Sequence, residues 1–392
     1  MKPITLGQGD GGRAIRLDLA ALAEQRLLVQ GTSGSGKSGL LRRLLEQSYG
    51  LIPQIVIDTE GEFATLRTRF PDYVLAAHEG GDTLAAPHTA AKLARELNAL
   101  NLSAILDISE LDPRPRLEFV ANYVTALINL PRARWKPVML VVDEAHEFAP
   151  ENGSAVSLLP IERAASKGRK RGVILVCATT RVSDLSKSVT ALLNNKLIGK
   201  TQQDLDVRRA AFELGVPPRE ATAMLRDLKS RNFIGYGGAF RGGPEGENVR
   251  LYVDDTLTHP PRMGEIVAPK APTVRMRAAL AKLADLPKEA EREIRDLADA
   301  KATITRLERD LRAASRPAGA PAPAKCDHAP RLADLERRNA ILAREVEAVQ
   351  ARAQAVQEAE GALRGAMVVA RDTLAGALTA VRVPGRAVKI AH

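Results

Sequence analysis

Cysteine is scarce in this 392-residue chain, where Cys177 and Cys326 are the only two. Within one chain they exclude a disulfide framework and a four-cysteine zinc site, and they fit a reducing, cytoplasmic setting. Aromatic residues make up only 3% of the chain, too few for a recognition surface built on base stacking. Any nucleic-acid contact is therefore expected to run to phosphates. No stretch of about 18 apolar residues occurs, so no membrane span is expected. The opening MKPITLGQGDGG lacks the apolar stretch of about 7 to 15 residues that a signal peptide needs. What the chain does hold is 45% hydrophobic residues, enough for a real core and too many for a disordered protein. Its 57 Lys and Arg against 47 Asp and Glu give a net charge of +10, which attracts polyanions such as nucleic acid.

From residue 1 to about 260, short β-branched runs alternate with amphipathic helical patterns. That alternation is the signature of an α/β fold with a parallel sheet covered by helices. Strands are expected at 26–30, 54–58, 103–107, 138–143, 173–179 and 196–200, and helices at 39–48, 89–99, 116–129 and 205–214. The segment 241–250, RGGPEGENVR, reads as a turn-rich hairpin. After Pro272 the chain turns to Ala, Arg, Glu and Leu, and apolar residues recur at heptad spacing. One seam runs Leu297, Ile304, Leu311; a second stretch has Leu335, Leu342, Val349, Val356 and Leu363, with Asn339 on its other seam, the pattern of a coiled coil. Between them lies RPAGAPAPAKCDHAP, whose four prolines cannot continue a helix and make it a hairpin tip or a flexible joint. The expected organisation is an α/β domain over 1–265 and a helical coiled-coil tail over 266–392, broken by the Pro-rich stretch at 316–330. The tail reads as a spacer or oligomerising stalk without chemistry of its own.

The chemistry starts at Gly31, Thr32, Ser33, Gly34, Ser35, Gly36, Lys37 and Ser38, which follow the apolar run RLLVQ and open the helical run GLLRRLLEQ. They satisfy G-x-x-x-x-G-K-[ST] in strand-loop-helix context. Glycines let the backbone N–H groups wrap phosphate oxygens, where a β-carbon would obstruct the approach. Lys37 is expected to reach the β- and γ-phosphates and Ser38 to hold Mg²⁺, with the helix N-terminus adding its positive end. ATP and Mg²⁺ are thus the expected cofactors. Asp143 and Glu144, 106 and 107 residues after Lys37, end the apolar run PVMLVV. A carboxylate at the tip of a buried parallel strand faces the phosphate crevice, which places Asp143 as the second Mg²⁺ ligand and Glu144 as the base for an attacking water. An Asp-Glu pair there points to hydrolysis of ATP.

GTSGSGKS, IDTEGEF, VVDEAHEFAP and GRKRGVILVCATTRVSDL, in this order, resemble the HerA-FtsK group of P-loop motor ATPases, and HerA more than FtsK, over about residues 4–240. The resemblance implies a RecA-like P-loop NTPase that assembles into a ring, usually a hexamer, hydrolyses ATP between subunits and pumps double-stranded DNA through the central channel. It implies also that Asp58, Glu60 and Glu62 form an acidic turn near the nucleotide. The family's Gln after the Asp-Glu strand is replaced by Thr180, two atoms shorter, so γ-phosphate sensing is expected to differ. With about 25 residues ahead of the first expected strand, the family's N-terminal β-barrel is expected to be missing.

A ring motor needs an arginine reaching in from the neighbouring subunit. Arg169 and Arg171, in the basic run 162–171, are the candidates; the alternative for each is a solvated helix end that complements the dipole. Arg181, Arg208 and Arg209 are lesser candidates. The string DEAH also occurs in two-lobed superfamily-2 helicases, but heptads and linker follow residue 260, so no second lobe is expected and a ring is favoured. Cys326 and His328 offer a shared zinc site only if two chains meet there. Cys177 reads as core, and His146 as a helper that links ATP state to a neighbouring loop. The expected function is an ATP-hydrolysing, homo-oligomeric ring motor, a DNA translocase or helicase-like ATPase acting on double-stranded DNA, with no membrane association. One alternative is a ring that powers or remodels a protein partner through its tail, and another a nucleotide-gated scaffold with slow turnover.

Overall fold

Apolar β-branched runs and leucine-rich amphipathic runs sort this chain into a layered α/β arrangement, seen in a computed structural model that describes residues 2–243, 247–261 and 273–292, with 295, 303 and 305–307. Its strands are β1 (Ile4–Gln8), β2 (Ala14–Leu17), β3 (Leu27–Gln30), β4 (Gln54–Asp58), β5 (Tyr73–Ala77), β6 (Thr83–Leu84), β7 (Ser103–Asp107), β8 (Val138–Val142), β9 (Val173–Thr179), β10 (Asn195–Ile198), β11 (Asn232–Tyr236), β12 (Phe240–Arg241) and β13 (Val249–Val253). The helices are α1 (Leu19–Gln25), α2 (Lys37–Ser48), α3 (Ala90–Leu100), α4 (Pro113–Ile128), α5 (Ala145–Phe148), α6 (Leu158–Lys167), α7 (Lys187–Thr190), α8 (Asp204–Leu214), α9 (Pro218–Arg226) and α10 (Val274–Ala284).

One sheet runs β12-β2-β1-β13-β11-β10-β3-β9-β8-β4-β7-β5-β6. From β10 to β6 every pairing is parallel; from β12 to β10 every pairing is antiparallel. The difference is written in side chains. VMLVV of β8 and VILVCAT of β9 are buried at every position, as strands covered on both faces must be. In β13, VRLYV buries Val249, Leu251 and Val253 and exposes Arg250 and Tyr252, the alternation of a sheet with one wet face.

Each central strand feeds two cores by turns. Ile55, Ile57, Leu140 and Val142 pack with α3, α4 and α6 on one face; Val56, Met139 and Val141 pack on the other with Leu40, Leu41, Leu44 and Leu45 of α2. The parallel-sheet expectation is met, and the strand tips at Gln30, Val142 and Thr179 end side by side.

Two expectations are corrected. The segment 241–250 is not a hairpin, because β12 pairs with β2 while β13 lies between β1 and β11. The first strand is not the one expected at 26–30, because β1 and β2 lie ahead of β3 and pair with each other. Within the stretch assigned to the tail, α10 packs on α3 and β6: Met276, Ala279 and Leu283 are buried, and Thr83 Oγ1 donates to the Leu283 carbonyl at 3.2 Å. The heptad seam from Leu297 on lies outside the described residues apart from Leu307, as do the Pro-rich break, Cys326 and His328.

A buried cation fixes α2 from behind. Arg42, 1% exposed, donates to Thr65 Oγ1 at 3.0 Å, Thr258 Oγ1 at 2.8 Å and the Glu62 carbonyl at 2.5 Å. One turn on, Glu46 accepts from the Leu257 and Thr258 N–H groups at 2.8 Å each and from Thr258 Oγ1 at 2.6 Å. Burial pulls the Arg42 guanidinium below its ordinary value, and Glu46 pushes back. Arg42→Ala therefore leaves Glu46 buried without its cation and should lower the unfolding free energy by about 3–5 kcal/mol in urea titration. A loss below about 1 kcal/mol, the range of exposed pairs, would contradict this reading of the network.

Candidate active site

The loop after β3 is held by its neighbours' backbones. Gly31 N–H donates to the Thr179 carbonyl at 3.2 Å, Thr32 N–H to the Lys200 carbonyl at 2.9 Å, and Ser35 N–H to the Thr32 carbonyl at 3.0 Å. Gly36 has φ +93°, and a β-carbon there would stand 2.8 Å from the backbone nitrogen of Arg231. Only glycine meets both demands. Arg231 N–H in turn donates to the Ser35 carbonyl at 2.8 Å, so the segment entering β11 forms the back wall of the loop.

In front of the loop lies an open cleft of about 610 Å³. Lys37, in the first turn of α2, reaches Asp143 Oδ1 at 2.5 Å and Glu144 Oε1 at 2.7 Å. Burial would push its ammonium down, but the two carboxylates outweigh it and hold Lys37 above the ordinary value. Asp143 moves up from the carboxylate range because burial exceeds what Lys37 returns. Glu144 moves the other way: burial opposes its charge, but His146, Lys37 and Thr180 prevail and pull its carboxyl down to about 2. It is a carboxylate acceptor across the neutral range.

Glu144 itself sits at φ +43°, ψ +47°, a left-handed backbone that a non-glycine residue adopts at a cost and that clusters at functional sites. Its Oε2 accepts from Thr180 N–H at 3.1 Å and Thr180 Oγ1 at 2.8 Å. Thr180 thus holds the Glu144 carboxylate directly. His146 Nδ1 lies 3.3 Å from the same oxygen and 3.0 Å from Thr179 Oγ1.

Ser38 and Asp143 both line the cleft and supply a hydroxyl and a carboxylate oxygen. That donor set fits Mg²⁺, a hard cation that takes one or two protein oxygens and fills its shell with phosphate and water. Charge favours the same partner. Glu60, Glu62, Glu144, Glu147 and Asp143 face one ammonium, Lys37, among the described cleft residues, so a nucleotide's phosphates are best received together with a divalent cation. Asp58, completely buried, does not face the cleft but accepts the N–H groups of Glu60, Glu62 and Phe63 at 3.3, 3.1 and 2.8 Å, which shapes the turn that presents Glu60 and Glu62. The acidic turn is as expected.

The structure thus gathers Gly31 to Ser38, Asp143, Glu144 and Thr180 in one place, and leaves the arginines elsewhere. Arg169 and Arg171 precede β9, whose seven residues put them about 20 Å from the cleft, at the opposite end of the central strands. Arg169 is exposed and pairs with Glu24; Arg171 donates to the Ile128 carbonyl and lies 5.6 Å from the Trp135 ring centre. Arg181 pairs with Asp184 at 3.0 Å, Arg209 with Glu213 at 2.7 Å, and Arg208 is exposed. Cys177 is core, its thiol pushed up to about 12 by burial. Ser230 and Pro260 close the far end of the cleft, and no motif marked them. Only the long-range pairing of β11 and β13 with the core brings them there.

Residues 4–159 match the family described as "Helicase HerA, central domain". The chain is 39% identical over 83 residues to the "Probable DNA double-strand break repair helicase HerA" of Methanocaldococcus jannaschii, a match covering 20% of this chain and 16% of that protein. To the DNA double-strand break repair helicase HerA of Pyrococcus furiosus it is 36% identical over 62 residues, 16% of this chain and 11% of that one. The matches therefore span less than a fifth of either relative. Among solved structures, VirB4 of Thermoanaerobacter pseudethanolicus superposes with a TM-score of 0.50 at 13% identity, over 65% of this chain and 97% of that one. At that identity the likeness speaks for the fold alone, a RecA-like P-loop NTPase.

Asp58 yields a prediction in pH. Burial raises its carboxyl to about 7, against the three N–H donors, whereas the unfolded chain releases that proton near the ordinary value of 3.8. The native state then binds the extra proton between those values, so stability falls as pH rises from about 4 to about 7 and flattens above. Asp58→Asn should remove that slope from urea midpoints measured against pH. An unchanged slope would assign the proton elsewhere.

Proposed function

We infer that this chain, whose residues 4–159 belong to the HerA helicase central-domain family, hydrolyses ATP and, assembled as a ring, couples hydrolysis to movement along double-stranded DNA. One observation carries the first half: Lys37, Asp143 and Glu144, 106 residues apart in sequence, meet within 2.7 Å at the mouth of a phosphate loop. The loop's N–H groups and the start of α2 cradle the triphosphate. Lys37 passes from the carboxylates to the β- and γ-phosphates, and that exchange releases Glu144 Oε1. Ser38 and Asp143 would hold Mg²⁺, which would supply charge neutralisation on the phosphate oxygens. Glu144 then orients a water whose oxygen attacks the γ-phosphorus as the bond to the β–γ bridging oxygen breaks. The water's proton goes to Glu144, and ADP leaves with the bridging oxygen.

The ring reading rests on the cleft's charges. Lys37 is the one Lys or Arg among the described lining residues, and a developing phosphoryl charge calls for an arginine from outside the subunit. Arg169, exposed and held only by a surface ion pair, is free to serve a neighbour at little cost; Arg171 is the second candidate. The DNA reading draws support from the net charge of +10 and from relatives named as DNA double-strand break repair helicases. A coiled-coil tail over 266–392 that organises the ring or recruits a protein partner belongs to the same proposal.

Steady-state ATP hydrolysis without DNA, with linear duplex and with single strands, at low and moderate salt, tests both halves. Duplex should stimulate the rate, and the stimulation should fade with salt because it runs through phosphates. Lys37→Ala and Glu144→Gln should each lose about 10²-fold or more. A rate indifferent to DNA yet abolished in both variants would overturn translocation and turn attention to a protein partner. A rate surviving in Glu144→Gln would overturn the site.

A further inference from the structure

The imidazole of His146 stands between the base and the end of β9, and its environment fixes which nitrogen carries a proton. Thr179 Oγ1 donates its single hydrogen to the Arg181 carbonyl at 3.1 Å and accepts from Arg181 N–H at 3.0 Å. Toward the ring it therefore presents a lone pair. Glu144 Oε2 already accepts from Thr180 N–H and Thr180 Oγ1, so it too presents a lone pair. Both atoms near Nδ1, at 3.0 and 3.3 Å, are acceptors. A bare Nδ1 would set lone pair against lone pair at each, so Nδ1 bears the hydrogen and shares it between them.

We propose that His146 is a positioning residue that, with Thr180, saturates Glu144 Oε2 and so reserves Oε1 for the attacking water. The proposal rests on the ATPase reading. Oε2 receives Thr180 N–H, Thr180 Oγ1 and His146 Nδ1, while Oε1 has Lys37 at 2.7 Å, the one partner that phosphate draws away. The two oxygens of one carboxylate are thereby given different duties. Such a clamp suits a residue whose backbone is left-handed, a conformation that persists only where the surroundings hold it. The same ring ties α5 to the tip of β9, so the direction of Oε1 depends on the segment 179–181 staying in place.

The test measures ATP hydrolysis and binding of a fluorescent ATP analogue by the full chain carrying His146→Ala, His146→Asn or His146→Gln. The Asn amide nitrogen stands close to where Nδ1 stood; the Gln amide lies one bond too far. His146→Ala should lower kcat by up to about 10²-fold, the effect of misplacing a reacting group by about an ångström, with KM and analogue affinity little changed. His146→Asn should regain most of kcat and His146→Gln should not. A wild-type kcat in His146→Ala, or His146→Asn as slow as His146→Ala, would overturn the proposal. A second readout is independent of turnover: ¹⁵N-histidine spectra of the nucleotide-free chain, assigned by loss of one of six His signals in His146→Ala, should show a protonated Nδ1. A bare Nδ1 would overturn the clamp even in an active enzyme. If wild type and Glu144→Gln hydrolyse equally poorly, the ATPase reading falls first and this proposal with it.

Discussion

The ammonium of Lys37 sets the charge balance on which the cleft depends. It is 8% exposed and neutralises two adjacent carboxylates that would otherwise repel each other out of water. Because it rises from the first turn of α2, the ion triad also fixes the helix against the tip of β8. On the function proposed above, phosphate entering the loop competes for that ammonium, so substrate binding and release of Glu144 Oε1 are one event.

Such a balance needs walls that do not move, and the two kinds of sheet supply them differently. The parallel block, buried on both faces, aligns the ends of β3, β8 and β9 and thereby sets Gly31, Asp143 and Thr180 side by side. The antiparallel block contributes no charged group to the phosphates, but its loops press on the site from behind. Arg231 backs Gly36, and residues 254–261 reach α2 through Arg42 and Glu46. Positioning by backbone contact suits a loop that must offer its own N–H groups to a ligand.

The legibility of each part in the sequence followed from the same division. QIVID, VMLVV and VILVCAT read as strands because full burial on both faces demands unbroken apolar runs. ITLGQ, AIRL and VRLYV are half wet, interrupted by Gly and Arg, and pass for loop without their partners. At the site, Lys37, Ser38, Asp143 and Glu144 announced themselves because phosphate chemistry dictates residue type in the strand-loop-helix and strand-end settings, whereas Thr180 was marked only by the resemblance to the HerA-FtsK group. Ser230, Pro260 and Arg42 carry no such spacing. Their roles come from pairing across some 200 residues, as with Arg42 and Thr258, 216 apart. The basic run at 162–171 was legible as charge but not as place, since which end of the strands it occupies is decided by the direction of β9.

The pairing of β1 with β13 has a consequence for how the protein is made. A growing chain can form β3, the loop and α2 early, yet Gly36 then has no Arg231 to lean on and Arg42 no Thr258 to satisfy it. Those partners are synthesised some 200 residues later, and contacts so distant in sequence close slowly. Until then a buried guanidinium and an unsupported phosphate loop are exposed to solvent and to wrong partners. The candidate site is accordingly among the last parts of the domain to mature, and an interrupted chain ending before about residue 260 carries every motif of the site without the means to hold its shape.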